Sequence, residues 1–312
     1  MIASFLIFIG ALFLVAQGAM LATKYSANVA ERFNMSRYVV GFVVVACVSA
    51  LPETIVAISS ALTGRPEFGL ATLFGSNVAD LTLIFAIVTI AAGRRIKVES
   101  KMLKDIRYYP FLLMVPIFFG LNGHYSRLEG VLLLIIGILF YYKTFKMGAE
   151  LEKAYHSVGK KLKDLLLLLL AIIILLVGAY FTIDAATDIA TALRVTPVLI
   201  GMLVVGLGTT MPELFYSLKA VRKKEDELAI GDILGTVMTG ATIVVGIVAI
   251  IEPFFFPTRI VYVTGIFMII ASLFLFHLLR TGKTLTRLES FFLLAFWIIY
   301  AIIEIAISKT LI

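Results

Sequence analysis

The 312-residue chain is expected to be an all-α membrane protein of ten transmembrane helices in two inverted five-helix repeats. Three observations predict this. Apolar residues make up 61% of the chain, where a soluble domain has about 45–50%. The apolar residues fall into ten segments, and the second half repeats the polar landmarks of the first at a fixed distance.

The segments run 2–23, 38–62, 68–93, 108–121, 128–146, 165–190, 196–220, 227–251, 258–280 and 288–307. Most reach the ~20 residues that carry a helix across a bilayer, and the fourth is short. The first carries no basic residue before Lys24 and is longer than a signal-peptide core, so it is expected to stay in the mature protein. Cys47 is the single cysteine, which excludes a disulfide framework and a cysteine-based metal site. The net charge of +7 sits in short loops between apolar runs, a pattern of cytoplasmic loops rather than of nucleic-acid binding. Of 27 Lys and Arg, 22 lie in the loops after spans one, three, five, seven and nine or at the adjoining span ends. The other five are Arg65, Arg127, Arg194, Arg259 and Lys309. Positive-inside reasoning then places the charged linker 147–164 in the cytoplasm and both termini outside the cell membrane.

Setting Pro52-Glu53 on Pro212-Glu213 fixes an offset of 160. The same offset pairs Gly18 with Gly178, Gly41 with Gly201, Glu67 with Glu227 and Gly75 with Gly235. Leucines and valines align cheaply, but in-register Pro-Glu pairs and glycines do not. Five spans separate equivalent positions, and an odd number makes the halves enter the membrane in opposite senses, the plan of many secondary transporters. The chain divides into a first repeat (1–146), the linker (147–164) and a second repeat (165–312).

Glu53 and Glu213 each follow a proline inside a long apolar run. A charge at membrane depth costs at least ~2.5 kcal/mol, which marks both as functional candidates. Proline withholds an N–H from the residue four positions earlier, Val48 or Gly208, and leaves carbonyl oxygen beside the carboxylate. Ser49 and Thr209 stand one turn before the glutamates and share their helix face. Carboxylate, hydroxyl and carbonyl are hard oxygen donors suited to calcium and sodium, not to zinc or copper. His124, His156 and His277 fall near loops or span ends. Ser76, Asn77 and Asp80 follow Gly75 in the third span, and Asp80 is expected to be a third carboxylate at the midplane. Its counterpart is Gly240, and the counterpart of Ser76 is Thr236. Asp232, one turn before Thr236, is read as a residue stabilised by the dipole near a helix N-terminus. Asp184 and Asp188 are expected to face solvent.

These residues carry a resemblance to the cation/calcium antiporter superfamily, and within it to the prokaryotic sodium/calcium exchangers. The family pattern is a G-T-S-x-P-E stretch followed by a G-S-N-x-x-D stretch in each half. Gly208-Thr209-Thr210-Met211-Pro212-Glu213 is a close match, and Val48-Ser49-Ala50-Leu51-Pro52-Glu53 a looser one with alanine at the second hydroxyl. Gly75-Ser76-Asn77-Val78-Ala79-Asp80 matches, whereas Gly235 to Gly240 lacks the acid. The resemblance implies that spans two, three, seven and eight form a central diamond around the ions. It implies calcium ligation by Glu53 and Glu213. It implies sodium ligation by Thr209, Thr210, Ser49 and Ser76 with the carbonyls of Ala46 and Gly206, beside Asn77, Asp80 and Thr236. Spans one and six would slide to alternate access.

The function expected is calcium-for-sodium antiport, with no cofactor, no nucleic acid and no protein partner beyond the bilayer and the two ions. Three carboxylates would balance three sodium ions and leave one charge beside a calcium ion. A proton/calcium antiporter on the same fold is the nearest alternative, since a carboxyl group can carry a proton instead of a cation. A channel is disfavoured by paired broken helices. Intramembrane aspartyl proteolysis from Asp80 and Asp232 lacks the glycine its motif needs at Ala229, and no His-Glu-x-x-His pattern exists.

Overall fold

The computed structural model describes residues 2–30, 45–98, 108–149 and 161–310. The described residues are mostly helical, with four two-residue strands and short turns between the helices. Helix α1 (Ile2–Ala30) is followed by α2 (Ala46–Ser49), α3 (Leu51–Leu62) and α4 (Pro66–Ala79). A π-helical segment, Asp80–Ile84, joins α4 to α5 (Phe85–Ala92), and strand β1 (Ile96–Lys97) follows. Then come α6 (Tyr109–Phe119), β2 (His124–Tyr125) and α7 (Arg127–Ala149). The second half opens with α8 (Lys161–Leu193) and α9 (Pro197–Ile200), a π segment Gly201–Val205, α10 (Gly206–Thr209) and α11 (Met211–Arg222). It continues with α12 (Asp226–Met238), a π segment Thr239–Val244 and α13 (Val245–Ile251). Strand β3 (Phe254–Phe255), a π segment Ile260–Gly265, α14 (Ile266–Gly282), β4 (Thr284–Leu285) and α15 (Arg287–Thr310) complete it.

Among the described residues, five helical runs are long and apolar enough to cross a membrane: Pro66–Ala92, Pro197–Arg222, Asp226–Ile251, Ile260–Gly282 and Arg287–Ser308. Shorter apolar helices cover Ala3–Gly18, Leu51–Leu62 and Tyr109–Asn122. The ends of the expected linker are helical, because α7 runs on to Ala149 and α8 begins at Lys161. Gly41 and His156 lie outside the described residues.

Local structure recurs at the 160-residue offset. Helix breaks fall at Ala50 and Thr210, and Pro52 and Pro212 occupy the first turn of the next helix. Each proline thus stands at a helix start, where its missing N–H costs nothing. Gly64 (φ +72°) and Lys224 (φ +64°) hold the same left-handed turn. Beside them Arg65 N–H donates to Ser60 O at 2.8 Å, and Glu225 N–H to Ala220 O at 3.0 Å. Two capping boxes match as well: Ser126 Oγ reaches Glu129 Oε2 at 2.8 Å, and Thr286 Oγ1 reaches Glu289 Oε2 at 2.7 Å.

The halves are stitched together at the loops by antiparallel pairs, β1 with β4 (Ile96 opposite Leu285) and β2 with β3 (His124 opposite Phe255). In the interior, glycines bring backbones together. A Cβ at Gly75 would collide with the Met202 backbone, so α4 and the Gly201–Val205 segment are in direct contact. Gly130 and Gly246 do the same for α7 and α13, each placing a hypothetical Cβ within 2.8 Å of the other's carbonyl. Lipid tails are as apolar as leucine, so this fit, not hydrophobic transfer, is what binds the helices. Phe5, Phe13, Leu139, Phe291 and Ile302 point outward as a lipid-facing surface. Helices α1 and α8 pack along each other and share an apolar cluster separate from the main one (Phe8, Val15, Ala179, Ile183 with Ile55 and Val56).

Candidate ion-binding site

Four carboxylates meet inside the bundle: Glu53 on α3, Asp80 at the first π segment, Glu213 on α11 and Asp232 on α12. They are 2%, 0%, 0% and 0% exposed, which leaves them no solvent. Glu213 interacts electrostatically with the other three, and Asp80 with Glu53 and Asp232. The helix breaks set the two glutamates. Each break starts a new helix one residue before its proline and sets the glutamate in the first turn, where a helix N-terminus favours negative charge.

The oxygens around the carboxylates differ between the halves. The Ser76 and Thr209 hydroxyls lie against the Glu53 carboxylate. Thr209 Oγ1 also donates to Gly206 O at 3.0 Å, and Thr210 Oγ1 to Leu207 O at 3.0 Å. Thr236 Oγ1 reaches Ala46 O at 3.4 Å. Ser49 Oγ turns to Asp232 Oδ1 at 2.8 Å. Asn77 donates to Met268 Sδ at 3.5 Å, and its Oδ1 would stand 3.2 Å from a Cβ on Gly240. The carbonyls of Ala46 and Gly206 each also accept a backbone bond, from Ala50 N–H at 3.0 Å and Thr210 N–H at 3.2 Å, so each accepts twice.

Glu53 Oε1, both oxygens of Asp80, both of Glu213 and Asp232 Oδ2 are buried without a hydrogen-bond partner. Burying a carboxylate in this way costs several kcal/mol unless a counter-charge arrives. Among the described residues no group of three or more His, Cys, Asp or Glu side chains stands in metal-holding geometry. The oxygens lying beside the carboxylates are hydroxyls and carbonyls.

Asp232 does not lie at a helix start. It is the seventh residue of α12, with no exposure and bonded by Ser49. The buried acids of the site thus number four, not three. The signal was present in the sequence, since Asp232 is one turn before Thr236, but the dipole reading assumed a solvated helix end. Glu304 on α15 is a further buried acid that the pattern did not flag; the Thr264 hydroxyl donates to it at 2.5 Å. Asp184 and Asp188 face outward as expected. His124 stacks on Phe255, 4.5 Å between ring centres.

Comparison with known proteins places the chain in a family. The chain is 30% identical over 213 residues to an uncharacterised membrane protein of Methanocaldococcus jannaschii, covering 68% of this chain and 70% of that one. It is 23% identical to the sodium/calcium exchanger MaX1 of Methanosarcina acetivorans, over 96% and 98% of the two chains. Among solved structures it is similar to the sodium-calcium exchanger NCX_Mj soaked with sodium and strontium, with a TM-score of 0.71 and 26% identity over 96% and 97% of the chains. The model of the sodium/calcium exchanger protein family matches residues 3–145 and 163–306. This chain belongs to the sodium/calcium exchanger protein family, and is an integral, multi-pass membrane transporter rather than an enzyme.

Proposed function

We propose that the protein exchanges calcium for sodium across the cell membrane by alternating access. The observation that carries this reading is the pair of Pro-Glu helix breaks, which bury Glu53 and Glu213 among oxygen donors with no counter-ion from the protein. In this reading the chain has ten spans in two inverted five-helix halves, 1–146 and 165–312, joined by the 147–164 linker. Recurrence of breaks, turns and caps at the 160-residue offset supports the two-half plan. Glu53 and Glu213 hold calcium. Ser49, Ser76, Thr209 and Thr210, with the carbonyls of Ala46 and Gly206, hold sodium, while Asn77, Asp80 and Thr236 complete the wall. Sodium and calcium compete for the same carboxylates, so binding one excludes the other, as antiport requires. Helices α1 and α8, with their own apolar cluster, slide against the rest to alternate access.

Radiocalcium uptake into liposomes tests the coupling ion. Vesicles loaded with sodium should take up calcium, and vesicles loaded with potassium at matched pH should not. Uptake driven by a pH gradient and indifferent to sodium would instead favour proton/calcium antiport, which alanine in place of a hydroxyl at Ala50 leaves as the second reading. Orientation is tested by impermeant thiol labelling in a Cys47→Ala background. Cysteines placed in the linker should stay unlabelled in intact cells and those at either terminus should react.

A further inference from the structure

The four acids are not spread evenly along the site. Segment Asp80–Ile84 packs against α12, whereas Thr239–Val244 packs against α4. The two helices therefore run past each other in opposite directions. Asp80 follows Ser76 by four residues, and Asp232 precedes Thr236 by four. Both aspartates consequently lie about one turn toward the same end of the bundle. That end carries the loop where Arg94 clasps Asp226. The positions that mirror them toward the other end are Thr72 and Gly240, neither of which is acidic. An arrangement of backbone that repeats between the halves thus holds a charge distribution that does not.

We propose that Asp232, together with Asp80 and the Ser49 hydroxyl, forms a second cation subsite, displaced from the Glu53–Glu213 pair toward the Arg94–Asp226 end, and that it takes a sodium-sized monovalent ion. Three observations carry it. Asp232 is fully buried, with Oδ2 partnerless, and both Asp80 oxygens are partnerless as well. Asp80 faces Glu53 and then Asp232, both acids, so neither neighbour relieves it. Ser49 Oγ, 2.8 Å from Asp232 Oδ1, adds a hydroxyl oxygen. Two glutamates already match the charge of a divalent ion. The remaining pair then calls for monovalent cations, which carboxylate and hydroxyl oxygens hold without the larger shell calcium requires. The proposal rests on the sodium/calcium reading above and refines it. The site holds four buried carboxyl groups, and the extra one is confined to a single side.

The test is ion-dependent thermal stabilisation of the full chain in detergent, titrated separately with sodium and with calcium. Two variants are compared with wild type: Asp232→Asn, which keeps the shape, and Asp232→Thr, which installs the residue found at the mirrored Thr72. Each removes a buried carboxyl group with a partnerless oxygen, so the ion-free protein should be as stable as wild type or more so. The sodium midpoint should rise about tenfold or more, as loss of a metal-site group typically does, and the calcium midpoint much less. A drop in ion-free stability with an unchanged sodium midpoint would reveal a merely structural aspartate and overturn the proposal. Equal shifts in both titrations would overturn the assignment to a monovalent ion. If wild type responds to neither ion, the antiport reading falls, and the subsite with it.

Discussion

Residues 45–84 and 205–244 can be compared position by position at the 160-residue offset. Each runs through a short helix, breaks (at Ala50 or Thr210), restarts on Pro-Glu, makes a left-handed turn and ends in a π-helical segment. The chemistry mounted on that common path differs. The second half offers two hydroxyls before its glutamate, Thr209 and Thr210, and the first only Ser49. The first half has its aspartate four residues after the hydroxyl of α4, and the second has its aspartate four residues before the hydroxyl of α12. Backbone symmetry lets the same device be built twice. Side chains decide that its two sides are unequal, because a helix break constrains proline and its neighbours but says little about a residue two turns away.

The largest expected effect is where the halves are most alike. Glu53→Gln and Glu213→Gln should each abolish calcium uptake in proteoliposomes, because the amide keeps the shape but not the charge a divalent ion needs. Near-normal uptake in one variant would show that only one half binds calcium. A smaller effect is expected at the displaced acid. Asp80→Asn should impair sodium-driven calcium flux, and adding Gly240→Asp should recover part of it. A Cβ at Gly240 meets nothing closer than Asn77 Oδ1 at 3.2 Å, so Asn77 must give by a few tenths of an ångström for the Cβ alone. Unchanged flux in Asp80→Asn alone would remove Asp80 from the site.

Stability measurements sharpen the comparison further. Arg94 binds Asp226 through both its Nη atoms, at 2.7 and 2.5 Å, and Val221 O at 2.9 Å, while Lys97 N–H donates to the same carboxylate at 2.9 Å. At the mirrored positions stand Phe254 and Pro66, so this clasp has no twin. Arg94→Ala should cost about 1–3 kcal/mol in thermal unfolding, since it leaves a nearly buried carboxylate short of its partner. The smallest effect tests the shared turn. Gly64→Ala puts a side chain in a left-handed conformation with nothing within 4 Å of the Cβ, so the loss of about 1 kcal/mol is pure backbone strain. Lys224→Gly relieves the same strain and should raise stability by up to about 1 kcal/mol.

The amino-acid sequence alone determined which segments are apolar, where the breaks fall and how the second half registers on the first. Those properties are local: a proline stops a helix hydrogen bond and a run of leucines seeks lipid whatever the rest of the chain does. It also singled out Glu53, Glu213 and Asp80, because a charge within an apolar run is visible without coordinates. The tertiary structure decided what distance along the chain hides. Asp232 looked like a residue near a solvated helix end, and only the packing of α12 against segment Asp80–Ile84, with Ser49 brought across from α2, turns it into the fourth buried acid. The contact of Gly75 with the Met202 backbone and the joining of Arg94 to Asp226 are of the same kind. Each depends on residues more than a hundred positions apart in the chain. Periodicity and composition report on a helix and its own surroundings, while the energy of a buried charge is set by whatever another helix places beside it.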